Sequence, residues 1–109
     1  MKMIVAIVQD EDSSRLISAL MNDGFGVTKL ATTGGFLRAG NTTLLIGVDD
    51  ERFEPCLNII EKLCKSRRQV ATSPLTAGGA VGMYSAMPIE VTVGGATVFV
   101  LNVEQFVKF

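Results

Sequence analysis

The chain has 109 residues, 48% of them hydrophobic and 19% charged, with a formal net charge of -1. That length fits one compact domain, and the near-neutral balance excludes a global field that would favour nucleic acid or an anionic membrane. It contains no histidine, so the commonest general base and the commonest transition-metal ligand are both missing.

The opening "MKMIVAIVQDED" lacks a secretory cleavage pattern and reads as a first strand. No apolar run reaches the roughly 18 residues of a membrane span. Cys56 and Cys64 lie on one predicted helix, eight residues apart, which is about 12 Å along the axis and too far for a disulfide. They read as ordinary core thiols, and the expected compartment is the reducing cytoplasm.

After the first strand, "DEDSSRLISALMNDG" predicts a helix with Leu16, Ile17, Leu20 and Met21 as its apolar stripe. Asp10, Asp12 or Ser13 suits its start and Gly24 the left-handed position past its end. "FGVTKLATT" and "NTTLLIGV" are strands on either side of a loop. In the latter, Thr42, Leu44, Ile46 and Val48 share one face, and Thr43, Leu45 and Gly47 the other. "DERFEPCLNIIEKLCKS" is a second helix, with Phe53, Leu57, Ile60 and Cys64 at helical spacing and Pro55 arguing for a late start or a bend. The acidic groups Asp10 to Asp12 and Asp49 to Glu51 precede the two helices; they suit magnesium or, better, capping and the helix dipole. No metal site is expected.

Residues 67–88 show no clear period and are expected to form a long connection. "IEVTVGGATVFVLNV" reads as a hairpin turning at Gly94 and Gly95. The order is therefore βαββα, a long loop, then ββ. It predicts an α+β fold, a ferredoxin-like βαββαβ sandwich with an extra strand from the C-terminal β-hairpin. Two helices cover one sheet face, yet several strands are apolar on both. A second copy of the chain is the simplest cover for the other face, so a cyclic homo-oligomer is expected.

The connection within "TKLATTGGFLRAGNTTLLIGV" carries more chemistry than a turn requires. The Gly34–Gly35 pair fits an anion-binding nest or an ordinary turn. Phe36 fits a nucleobase face or a plug at an oligomer contact, and Leu37 the apolar side of a pocket. Arg38 fits a phosphate oxygen or plain solvation. Asn41 can read a base edge, and Thr28 and Gly47 flank the loop on its two strands. The inventory suits a nucleotide. No "GxGxxG" or "GxxxxGK[ST]" is present.

"KMIVAIVQDED", "VTKLATTGGFLRAGNTTLLIGV" and "MPIEVTVGGATVFVLNVEQF", at these spacings, resemble the PII-like cyclic-di-AMP receptor family of Gram-positive bacteria. The likeness covers nearly the whole chain and is most specific in "LATTGGFLRAGNTT". It implies a single PII-like domain over residues 1–109, with a short T-loop-like segment at 33–40 and a long B-loop-like segment at 66–88. It also implies a homotrimer that binds cyclic-di-AMP without chemistry, one ligand in each cleft between subunits. By position in the motif, Thr28, Gly35, Phe36, Leu37, Asn41 and Gly47 are implied as ligand contacts, with Phe99 reaching the ligand from the neighbouring subunit or packing in the core. Arg38 and Lys108 are weaker candidates. Gly26 and Lys108 stand where the family pattern can carry arginine and glutamine. The implied mechanism is that the ligand orders the two loops and changes the surface seen by a downstream protein. No cofactor, membrane or nucleic-acid partner is expected. The alternatives are a PII-like sensor of ATP or another adenine nucleotide, an acyl-phosphate hydrolase using Arg38 and Asn41, and a single-stranded RNA binder.

Overall fold

The computed structural model describes residues 1–30, 40–73 and 87–109. They form β1 (Lys2–Gln9), α1 (Asp10–Asn22), β2 (Gly26–Leu30), β3 (Asn41–Val48), α2 (Asp50–Cys64), β4 (Arg67–Ser73), β5 (Met87–Val93) and β6 (Ala96–Asn102). Four strands make one sheet in the order β2-β3-β1-β6, and β4 and β5 make a separate two-stranded ribbon. Every pairing is antiparallel. The result is a mixed α/β domain whose two helices lie on one face of the four-stranded sheet.

Strand alternation decides that face. Ile4, Ala6 and Val8 from β1 and Leu44, Ile46 and Val48 from β3 are buried together with Leu16 and Leu20 of α1 and Cys56, Ile60 and Cys64 of α2. Thr42, Leu44, Ile46 and Val48 share the buried face as their spacing predicts. The stripe on α1 is narrower than expected: Ile17 only flanks the core and Met21 is exposed, while Asp12 and Ser13 are buried instead. On α2 the most buried line is Cys56, Ile60, Cys64, an i, i+4, i+8 row, with Phe53 and Leu57 beside it. Both thiols are free and buried.

Three local expectations change. The N-cap of α1 is Gln9 and that of α2 is Asp49, and neither makes a side-chain capping hydrogen bond. Asp10 and Asp12 lie inside the first turn of α1, where their carboxylates bond to other elements. α2 does not start late at Pro55; it runs through it from Asp50. Pro55 and Glu51 both sit on the exposed face, where the carbonyl left without an amide partner can meet water. Gly24, at φ +87°, does hold the left-handed position after α1.

The C-terminal hairpin is a correction. β5 pairs with β4, in register from Arg67–Val93 to Ser73–Met87, while β6 pairs with the free edge of β1. Gly94 and Gly95, at φ +81° and +98°, carry the chain from one sheet into the other. Positive φ at both positions is also what a tight hairpin turn requires, so the glycine pair serves either geometry. Here the Gly95 N–H bonds to the Cys64 carbonyl and the Gly94 N–H donates to Gln9 Oε1 at 2.8 Å. β4 occupies the first part of the segment expected to be a connection. The T-loop-like segment at 33–40, Gly40 apart, and residues 74–86 of the longer segment lie outside the described residues.

Candidate functional site

The open sheet face is built in rungs, because residues paired across antiparallel strands point to the same side. The rung at the loop end holds Gln9 and Asn41, followed by Leu30, Thr43, Ile7 and Thr97. Next come Thr28, Leu45, Val5 and Phe99, then Gly26, Gly47, Met3 and Leu101. Thr28, Asn41, Gly47 and Phe99 therefore all belong to one face, the one the helices do not cover.

They do not form one contact. Thr28 and Gly47 are diagonal neighbours on paired strands, roughly 7–8 Å apart. Asn41 lies six residues along β3 from Gly47, about 20 Å away. Phe99 is three strand positions across from Thr28, about 14 Å. A single base resting on Thr28 and Gly47 is out of reach of Phe99 in the same chain. Lys108 is exposed in the tail beyond β6. That tail leaves from the Gly47 end of the sheet, where the Val103 N–H donates to the Met1 carbonyl at 3.1 Å. Gly35, Phe36, Leu37 and Arg38 lie outside the described residues.

The strand register adds a residue that spacing alone does not single out. Gly26 stands directly opposite Gly47, so the rung carries two adjacent positions with no side chain. Neither has a positive φ. A Cβ on Gly26 would meet nothing within 4 Å, and one on Gly47 only the Met1 Cε, at 4.0 Å. Among the described residues, neither backbone conformation nor packing requires glycine at either position. Bare backbone at this place allows a flat group to lie directly on the strands. Each glycine is singled out separately in the sequence, but only the pairing of β2 with β3 shows that the two are adjacent.

Around the patch the face is apolar. Phe99 is 46% and Leu101 53% exposed, and Val5, Ile7 and Leu45 are half-buried. At the loop end the character changes. Asn41 borders a polar cleft of about 390 Å³ with Asp10, Ser13, Lys29 and Thr42. The Thr42 hydroxyl donates to Asp10 Oδ1, which fixes the start of β3 against α1. Nearby, Asp12 is buried and its Oδ1 accepts from Arg67 at 3.0 Å and Arg15 at 3.3 Å. The hydrogen bond to Asp12 raises the Arg67 guanidinium further above its usual range. Burial pushes both Cys56 and Cys64 up to about 11, so these thiols are poor nucleophiles at neutral pH. Among the described residues, no group of three or more acidic or cysteine side chains is placed to hold a metal ion. No described helix is long and apolar enough to cross a membrane.

A face with a bare glycine rung, an apolar surround and a polar loop end suits a flat, partly polar ligand. A family model described as cyclic-di-AMP receptor matches residues 1–109, the whole chain. The chain belongs to the cyclic-di-AMP receptor family. The family is described as one of receptors, that is, of binding proteins. This receptor-family chain is also similar to a crystal structure of "a functionally unknown protein" from Pediococcus pentosaceus ATCC 25745, at 42% identity and a TM-score of 0.79. The match covers 99% of this chain and 96% of that one.

Proposed function

We propose that this protein is a non-enzymatic cyclic-di-AMP receptor that works as a homotrimer. Its ligand sits between chains: one chain presents Thr28, Gly47 and Asn41, and its neighbour presents Phe99. The observation that carries the reading is the match of the whole chain to the cyclic-di-AMP receptor family. The geometry supports it in two ways. The described residues give the paired Gly26 and Gly47 no packing reason to be glycine, and a base lying on them would supply one. A base on Thr28 and Gly47 is out of reach of Phe99 in the same chain, about 14 Å away, so in this reading Phe99 comes from a neighbouring chain, while Asn41, about 20 Å along β3, meets a different part of the dinucleotide.

In this reading the domain is PII-like and its sheet follows the ferredoxin-like arrangement, with β6 as the fourth strand. Gly35, Phe36, Leu37 and Arg38 complete the site from the T-loop-like segment, and Lys108 adds a positive charge. The cyclic ligand has less freedom to lose on binding than a linear dinucleotide. Its binding changes the surface near the two connections, which a downstream protein in the cytoplasm reads. Such a shift requires the ligand to contact the two loop states differently.

Isothermal calorimetry tests the proposal. Cyclic-di-AMP is expected to bind with one ligand per chain and to resist displacement by ATP. Asn41→Ala should weaken binding by roughly 1–3 kcal/mol through loss of a base-edge hydrogen bond. No heat at saturating cyclic-di-AMP, or preference for ATP, overturns the reading.

A further inference from the structure

The start of α1 holds the roots of both loop-bearing segments. Its first amide, Asp10 N–H, has no intrahelical partner and donates instead to the Gly40 carbonyl at 2.7 Å. Asp10 Oδ1 then accepts the Thr42 hydroxyl. These two bonds grip either side of Asn41, where the chain enters β3. The neighbouring residues grip the ribbon. Gln9 Oε1 accepts the Gly94 N–H at 2.8 Å, and Asp12 Oδ1 accepts Arg67 Nη2 at 3.0 Å. Arg67 and Gly94 are the two feet of the β4–β5 ribbon, whose backbone packs against no other strand or helix among the described residues.

The helix start is therefore secured by tertiary partners in place of a side-chain cap. A conventional cap would leave the turn intact when either root shifted. Here the acceptor for the first amide belongs to one root, and two side chains of the junction belong to the other. Asp12 is also 1% exposed; its Oδ1 is shared between Arg67 and Arg15, and its Oδ2 has no hydrogen-bond partner among the described residues. Asp12 therefore depends on its two arginines, one of which, Arg67, belongs to the ribbon.

We propose that residues 9–12 couple the entry of β3 to the ribbon: loosening either root frays the first turn of α1 and loosens the other. The inference rests on the receptor reading only for its use, since a ligand that settles the β3 root then also settles the ribbon. Coupling of this kind is reciprocal.

Amide hydrogen exchange on the full chain without nucleotide tests it. Arg67→Gln removes the ribbon's ion pair and touches nothing at the β3 root; Thr42→Val removes that root's hydroxyl and touches nothing on the ribbon. Arg67→Gln is expected to speed exchange about five-fold or more at Asp10 and residues 40–43, and Thr42→Val to do the same at residues 67–70 and 91–95. If either variant fails to fold, as judged by circular dichroism, the other still decides. Acceleration confined to the mutated root overturns the coupling. That result leaves calorimetric binding untouched, just as absent binding leaves the coupling untouched, so the two failures are distinguishable.

Discussion

Gly47 is informative because nothing among the described residues requires a glycine there. Its φ is not positive, and an added methyl would meet only the end of a methionine side chain at 4.0 Å. In a strand interior, alanine costs less conformational entropy than glycine by roughly 0.5–1 kcal/mol. Gly47→Ala is therefore expected to leave stability unchanged or raise it by up to about 1 kcal/mol in urea unfolding. It should also weaken cyclic-di-AMP at least about ten-fold, near 1.4 kcal/mol. Loss of stability with intact binding would assign the glycine to folding instead. The thiols give a second prediction at this scale. Burial raises Cys56 and Cys64 from 9.0 to about 11. Between those values the unfolded chain has lost protons that the folded chain keeps, so stability falls as pH rises through that window. Urea midpoints measured from pH 8 to 11 should decline, and Cys56→Val with Cys64→Val should flatten the decline. A slope that persists in the double variant refutes the thiols as its source.

Among the elements, the β4–β5 ribbon shows where pattern reading fails and why. A strand is recognised by alternation, and alternation arises when one face is buried. The ribbon's backbone packs against no other described strand or helix, and its Val70 is 68% and Ile89 44% exposed. "RRQVATS" therefore carries no hydrophobic period, and only its pairing with β5 makes it a strand. The glycine junction at its foot is strict by comparison. Gly94 has φ +81°, and a Cβ there would lie 2.9 Å from the Lys65 carbonyl oxygen and also press on the Arg67 guanidinium. Gly94→Ala is expected to destabilise by more than about 1–2 kcal/mol, the cost of left-handed backbone alone. Urea unfolding measures this as a lower midpoint at unchanged slope. A change below about 0.5 kcal/mol would place the junction among tolerant surface sites.

For the whole molecule, the open sheet face is the dominant fact. Half-buried Val5, Ile7 and Leu45 lie beside exposed Phe99 and Leu101, on a face that neither described helix covers. A contiguous apolar surface of this kind marks an interaction site, and another copy of the same face is its expected cover. Sedimentation at micromolar concentration should give three times the 11.6 kDa chain mass. Phe99→Asp should lower that mass and cyclic-di-AMP affinity together, because it places a charge in the contact and removes the ring expected beside the ligand. A monodisperse wild-type monomer would remove the inter-chain site.

Much of this was legible in one dimension. The strand β3, the buried row Thr42, Leu44, Ile46 and Val48, both helices and the unusual decoration around Asn41 were all readable. Each depends on local periodicity or on residue chemistry, which a sequence carries directly. The family likeness, resting on "LATTGGFLRAGNTT" and "VGGATVFV", was readable for the same reason. Three features depended on the tertiary structure. It paired Gly26 with Gly47 into one bare rung, sent β5 to β4 instead of β6, and spent Gln9, Asp10 and Asp12 on loop roots instead of caps. These are choices of partner between residues far apart in the chain. A glycine pair permits both a hairpin and a crossing between sheets, and an aspartate permits both a cap and an ion pair. Long-range packing and the availability of a free strand edge settle such choices, and neither is encoded in any single stretch of residues.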